Sequence, residues 1–222
     1  LPIRTTAREN AAWVAEFYVV MYSLAAIPKS TGAERIMWMA NQARQVLPND
    51  SYSAHMFDFV KTEYLKQTPW ESVRDQLYQN YQIEEQGGYN ITSQNLYCNG
   101  CFASGINFGA SLISLFYGEG DYQQTVKLAV LMGWDSDNPA ATWGGMFGFM
   151  MGLDALEQEF GLSFSHRFNI HRTRGNFPQN GIYSFEELAL MGIKIIDHVV
   201  VNELQGEIRA ESNTWVISLP QD

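Results

Sequence analysis

Apolar side chains recur at three- and four-residue steps along most of this chain, and each run stops at a proline, a glycine or a capping side chain. Trp13, Phe17, Val20, Met21, Leu24 and Ile27 form the first stripe, which ends at Pro28. Residues three and four apart share one face of a helix, so residues 8–27 are predicted to be a long amphipathic or buried helix. Ile36, Met39, Ala40, Ala43, Val46 and Leu47 repeat the period up to Pro48. Ser51 or Ser53 caps a third segment through Tyr64, and Thr68 as N-cap with Pro69 at the first helical position opens a fourth through Tyr81. The loop Gln86 to Asn90 precedes a fifth helix between Asn95 and Tyr117. A sixth runs from Tyr122 to Met132 behind an Asp121 cap, and a seventh follows Pro139 toward Phe160. Ser184 caps a last helix to Asn202, residues 161–181 are irregular, and residues 214–219 read as a short strand or extended tail. The expected fold is all-α, a single-domain multi-helix bundle.

Composition agrees with a packed core. Of 222 residues, 46% are hydrophobic and 14% aromatic, which is enough to bury a substantial interior. The net charge of −10 excludes a nucleic-acid backbone or an anionic membrane as the main partner, since like charges repel. The longest apolar run, Trp143 to Leu153, is too short to span a bilayer. The chain opens Leu1-Pro2-Ile3-Arg4 without an initiator methionine or signal peptide and reads as a processed or truncated product.

One stretch concentrates chemistry. In Gly133-Trp134-Asp135-Ser136-Asp137-Asn138-Pro139 two acids stand one residue apart. Two helical steps of about 100° would turn them away from each other, so they belong on a loop. Pro139 suits the first position of the next helix and Asn138 its N-cap. Oxygen-bearing side chains on a short loop suit a hard cation such as Mg²⁺ or Ca²⁺; the alternative is one capping and one solvated aspartate. Beyond them Gly144, Gly148 and Gly152 fall at four-residue spacing. Each glycine costs a helix about 1 kcal/mol, so the stripe predicts close packing by another helix and a rigid support for the acids.

Other features leave alternatives open. Cys98 and Cys101 form a lone Cys-x-x-Cys, compatible with two ordinary thiols, a local disulfide, or metal or redox chemistry. Asn49-Asp50-Ser51 and Asn90-Ile91-Thr92 are glycosylation triplets. His166, Arg167, His171, Arg172 and Arg174 form a polar cluster that is either a solvated surface or a pyrophosphate contact through bidentate arginines.

Tyr117-Gly118-Glu119-Gly120-Asp121, Gly133-Trp134-Asp135-Ser136-Asp137 and Ala140-Ala141-Thr142-Trp143-Gly144 together resemble the C-terminal signature of the ADP-ribosylglycohydrolases, a family with crystallin-related members. Residues 2–6 with Ala15-Glu16-Phe17-Tyr18 and Pro69-Trp70-Glu71 resemble the same family. The resemblance implies that residues 1–222 are the C-terminal part of one such domain, lacking the N-terminal half and its metal-binding acids. It implies two Mg²⁺ ions, or Mn²⁺, with Asp135, Asp137 and Asn138 as ligands, and Asn138 stands where the family carries threonine. It places Gly88 and Tyr89 near ADP-ribose, with Tyr89 stacking on a ring or bonding a ribose. The activity implied is hydrolysis of an ADP-ribosyl glycosidic bond, by this chain or with an N-terminal chain of the same precursor. The competing expectations are a non-catalytic crystallin-like binding relative and a hydrolase of another nucleotide N- or O-glycoside.

Overall fold

The computed structural model describes residues 2–27, 32–90, 97–170 and 175–217, and among them the chain is helical apart from two short strand pairs. In chain order the elements are α1 (Pro2–Thr6), α2 (Glu9–Ala25), α3 (Gly32–Ala43), α4 (Tyr52–Leu65), α5 (Trp70–Leu77), α6 (Ser104–Tyr117), α7 (Tyr122–Leu131), α8 (Asp137–Met151), α9 (Leu153–Phe160), β1 (Arg167–Asn169), β2 (Ile182–Ser184), α10 (Phe185–Asn202), β3 (Glu207–Arg209) and β4 (Thr214–Val216). The expected all-α class is what the chain adopts. The chain divides into two compact units, Leu1–Glu159 and Phe160–Asp222. No helix among the described residues is long and apolar enough to cross a membrane.

The first unit is built around α6. Every residue from Gly105 to Phe116 is buried, the pattern of a helix surrounded by others on all sides, and α2, α3, α4, α5, α7 and α8 all pack on it. Phe17 of α2 lies edge-on to Phe108 at 5.2 Å and to Phe57 of α4 at 5.9 Å, and Phe57 in turn meets Phe116 at 5.7 Å. Such edge-to-face pairs add about 0.5–1.5 kcal/mol to the burial of the rings themselves. The α6 backbone can pass this closely because Gly105 and Gly109 have no side chain. A Cβ at Gly105 would collide with the Tyr89 ring and come within 2.9 Å of Tyr52, and one at Gly109 would come within 2.6 Å of Leu77.

The caps at Ser51, Asp121 and Ser184 form as expected, with side chains accepting from the backbones of Ala54, Gln124 and Glu187. Thr68 does not cap α5; its hydroxyl donates to Glu63 Oε2 at 2.8 Å, and Pro69 precedes the helix without a side-chain cap. The helix after the acids is shorter than expected. It stops at Gly152, whose φ of 81° no L side chain adopts comfortably, and α9 follows as a separate piece. The glycine stripe also differs from expectation. Among the described residues nothing lies within 4 Å of a Cβ built at Gly148 or Gly152, and Gly144 makes only ordinary contact. The close approach occurs one residue off the stripe, at Gly145, where a Cβ would stand 2.9 Å from the Tyr22 hydroxyl.

The second unit carries two antiparallel pairs that the irregular composition concealed: β1 with β2, in register Phe168 to Tyr183, and β3 with β4, in register Ile208 to Trp215. Between the pairs, α10 opens on a reciprocal capping box between Ser184 and Glu187. Trp215 Nε1 donates to Asp197 of α10 at 2.7 Å and ties β4 to it. Residues 218–219 of the expected tail lie outside the described residues.

Candidate functional site

Chain reversal between α7 and α8 creates the acid loop. Gly133 and Trp134 both take positive φ, 86° and 55°. For tryptophan that conformation costs on the order of 1 kcal/mol and persists only where surroundings enforce it. Here the indole stacks on Tyr78, with centroids 6.2 Å apart and planes inclined by 27°, and packs on the core cluster. The next residue is fixed from a third direction. Asp135 N–H donates to Asn107 Oδ1 at 3.1 Å, and the same amide's Nδ2 donates to the carbonyls of Cys101 at 2.7 Å and Ala103 at 3.0 Å.

The start of α8 differs from the expected one. The helix begins at Asp137 with Ser136 before it, so Pro139 is the third helical residue rather than the first. A proline is tolerated there because the N–H groups of the first turn have no partner within the helix. Asn138 is therefore not the N-cap. Its N–H donates to the Asp135 carbonyl at 2.9 Å while its exposed side chain serves no capping role. Asn138, expected both as N-cap and as a ligand, is thus not engaged as a cap.

Burial pushes the Asp135 carboxyl above its ordinary value, and the charge of Asp137 with a hydrogen bond between the two carboxyl groups pushes it the same way. The two carboxyl groups therefore interact at the helix start. Interacting carboxylates favour a shared proton or a cation between them, and the positive end of α8 sits beneath Asp137. Further along α8, the wholly buried Trp143 donates its Nε1–H to the Ser111 carbonyl at 2.8 Å. This bond fixes the helix, and hence its acidic end, against α6.

Among the described residues no group of three or more His, Cys, Asp or Glu side chains is placed to hold a metal. Asp135 and Asp137 supply two carboxylate groups, whereas a hard cation takes six or more oxygen ligands.

Tyr89, expected near ADP-ribose, is placed in the core. It is 2% exposed, its ring packs at 4.8 Å from Tyr52 and 6.4 Å from Tyr81, and its hydroxyl accepts the Ile106 N–H at 3.1 Å. A ring held in this way cannot stack on a ligand. Gly88 beside it is exposed, with φ of 75° and open space around its Cα. The loop of Tyr89 and the loop of Asp135 are both tied to the start of α6. Tyr89 binds the N–H of Ile106 and Asp135 binds the side chain of Asn107, consecutive residues in the first turn of α6.

Cys98 and Cys101 form a disulfide, which decides among the readings of the Cys-x-x-Cys. Of the basic cluster, His166 is exposed and Arg167 lies on β1, where its charge helps hold the Glu187 carboxyl below the usual range, behind that group's bonds to Ser184. His171, Arg172 and Arg174 lie outside the described residues, as do Ile91 and Thr92 of the second glycosylation triplet.

Sequence reasoning missed Asn107 and Tyr78. The signal for Asn107 was present: an amide between Ile106 and Phe108 in an otherwise apolar helix must find partners once buried.

A family model described as ADP-ribosylglycohydrolase matches residues 3–173. No curated protein and no solved structure matches the chain.

Proposed function

The chain belongs to the ADP-ribosylglycohydrolase family, a family of hydrolases, and from that premise we propose that it acts on an ADP-ribosyl glycosidic bond with a divalent cation held by Asp135 and Asp137. The observation that supports this reading is the interaction of the Asp135 and Asp137 carboxyl groups at the start of α8, which raises the Asp135 pKa after burial does, on a loop whose backbone Asn107 fixes. Mg²⁺ or Mn²⁺ suits such hard oxygen donors, and the exposed Asn138 carbonyl adds a third of the same kind. When bound, the cation supplies an activated water and charge stabilisation.

The chain's own residues do the positioning. Asn107 sets the Asp135 backbone, Trp134 and Tyr78 hold the left-handed turn ahead of it, and Trp143 anchors α8 behind it. Gly88 presents open backbone toward the ADP-ribosyl group, while Tyr89 fixes that turn to α6 from within the core. The test is release of ADP-ribose from an ADP-ribosylated peptide by the full chain with Mg²⁺, compared with Asp135→Asn. Mg²⁺-dependent release that the variant loses supports the reading; no release by either protein leaves the chain a non-catalytic member of its family.

A further inference from the structure

We propose that the Cys98–Cys101 disulfide is a redox-sensitive clamp whose opening by a dithiol reductant loosens the Asp135 loop. Its importance for activity rests on the functional reading above.

The disulfide closes a turn that is unfavourable by itself. Cys98, Asn99 and Gly100 take three consecutive positive φ values, 53°, 47° and 77°. For the two non-glycine residues this conformation survives only where the surroundings over-determine it. The covalent bond between the turn's ends is one such constraint, and hydrogen bonds to the turn supply the rest. Gln82 Nε2 donates to the Asn99 and Gly100 carbonyls at 2.6 and 3.2 Å, and Asn99 Nδ2 reaches the Tyr78 hydroxyl at 3.3 Å. Among the described residues Gln82 Oε1 is buried without a hydrogen-bond partner, so the closed arrangement carries an unfavourable polar burial that relaxation would relieve.

The residues that hold this turn are the ones that hold the acid loop. Tyr78 bonds Asn99 and stacks on Trp134. Asn107 donates to the Cys101 carbonyl and accepts from the Asp135 N–H. Release of the turn therefore removes one of the two carbonyls that orient the Asn107 amide and one support of the Tyr78 ring. Both changes act on Trp134 and Asp135.

Cys98 is exposed and Cys101 half-buried, so a reductant reaches Cys98 first. A thiolate of an external dithiol attacks the Cys98 sulfur and expels Cys101 as thiolate, which takes up a proton. The reductant's second thiol then resolves the mixed disulfide. The protein gains two electrons and two protons as two thiols, and the dithiol leaves as its disulfide.

Amide hydrogen exchange at Asp135 in the isotope-labelled full chain, without added metal, tests the clamp in oxidised protein, in protein treated with dithiothreitol, and in Cys98→Ser/Cys101→Ser. The expected result is an about tenfold loss of protection at Asp135 in the last two, with Val60 in the α4 core unchanged and with Asn107→Ala abolishing the redox difference. Equal protection of Asp135 in oxidised and reduced protein overturns the proposal. Loss of protection at Val60 alongside it does the same, because the bond would then be a staple of the whole fold. A redox response at Asp135 in a protein that binds no Mg²⁺ supports the clamp while refuting the cation reading.

Discussion

Asn107 and Asp135, 28 residues apart in the chain, are joined by a hydrogen bond of 3.1 Å from the Asp135 N–H to the Asn107 side-chain oxygen. The other end of that amide is committed to the Cys101 and Ala103 carbonyls, so its orientation is fixed by chemistry. Asn107→Ala removes the support without touching a carboxylate. The expected result is a stability loss of about 1–2 kcal/mol and a fall in Mn²⁺ affinity of about tenfold or more, as for an outer-shell partner. Asn107→Asp, nearly the same shape, sets a carboxylate against two carbonyls and is expected to be worse than alanine. Denaturant titration and calorimetry read both effects, and an aspartate variant as stable as wild type would contradict this account.

The passage of α6 past Tyr89 and Tyr52 depends on the missing side chain at Gly105. Gly105→Ala raises helix propensity by about 1 kcal/mol but inserts a methyl group where ring atoms stand. Overpacking of a rigid core dominates, and a net loss of about 2–3 kcal/mol is expected. Thermal unfolding checks it, and a stabilised variant would mean that the rings move aside freely.

Tyr89→Phe separates a packing role from a ligand-binding one. The ring stays and the acceptor for the Ile106 N–H is lost, which is expected to cost about 1–3 kcal/mol because a buried donor loses its partner. ADP-ribose binding to the folded variant should be unchanged. Weakened binding with unchanged stability would return Tyr89 to the substrate surface.

Glu63 accepts from Lys66 Nζ and from the Thr68 hydroxyl, both at 2.8 Å, and these bonds hold its carboxyl below the ordinary range. A carboxylate with a depressed folded value stabilises the fold above its unfolded titration range, and that contribution fades as pH falls through the lowered folded value. Glu63→Gln is therefore expected to cost about 1 kcal/mol near pH 7, with Lys66 exposed and contributing little, and the gap from wild type should close below about pH 4. Chemical denaturation across pH measures the gap; one that widened on acidification would contradict the assignment.

Much of this architecture was legible because its signals are local. Ser51, Asp121 and Ser184 act on backbone groups three residues ahead, so caps and helix starts follow from nearby residues. Thr68 misled because its hydroxyl turned back to Glu63, five residues upstream, and Pro139 because a first helical turn accepts proline at more than one position. The acid pair was legible for the same local reason. What holds it was not. Asn107 and Tyr78 reach the loop across the bundle, and no periodicity in residues 133–139 points to them. The glycine stripe shows the limit of spacing as an argument: regularity at Gly148 and Gly152 met open space, and the close contact fell at Gly145.

Isothermal titration of Mn²⁺ into the full chain, into each aspartate-to-asparagine variant and into the double variant tests whether Asp135 and Asp137 act as one cation-binding pair. Binding by the wild-type chain is expected, with a loss of at least about a hundredfold for Asp135→Asn or Asp137→Asn, beyond the range of an outer-shell substitution, and no measurable binding by the double variant. Wild-type affinity retained by the double variant, or no binding by the wild-type chain, would contradict that pairing.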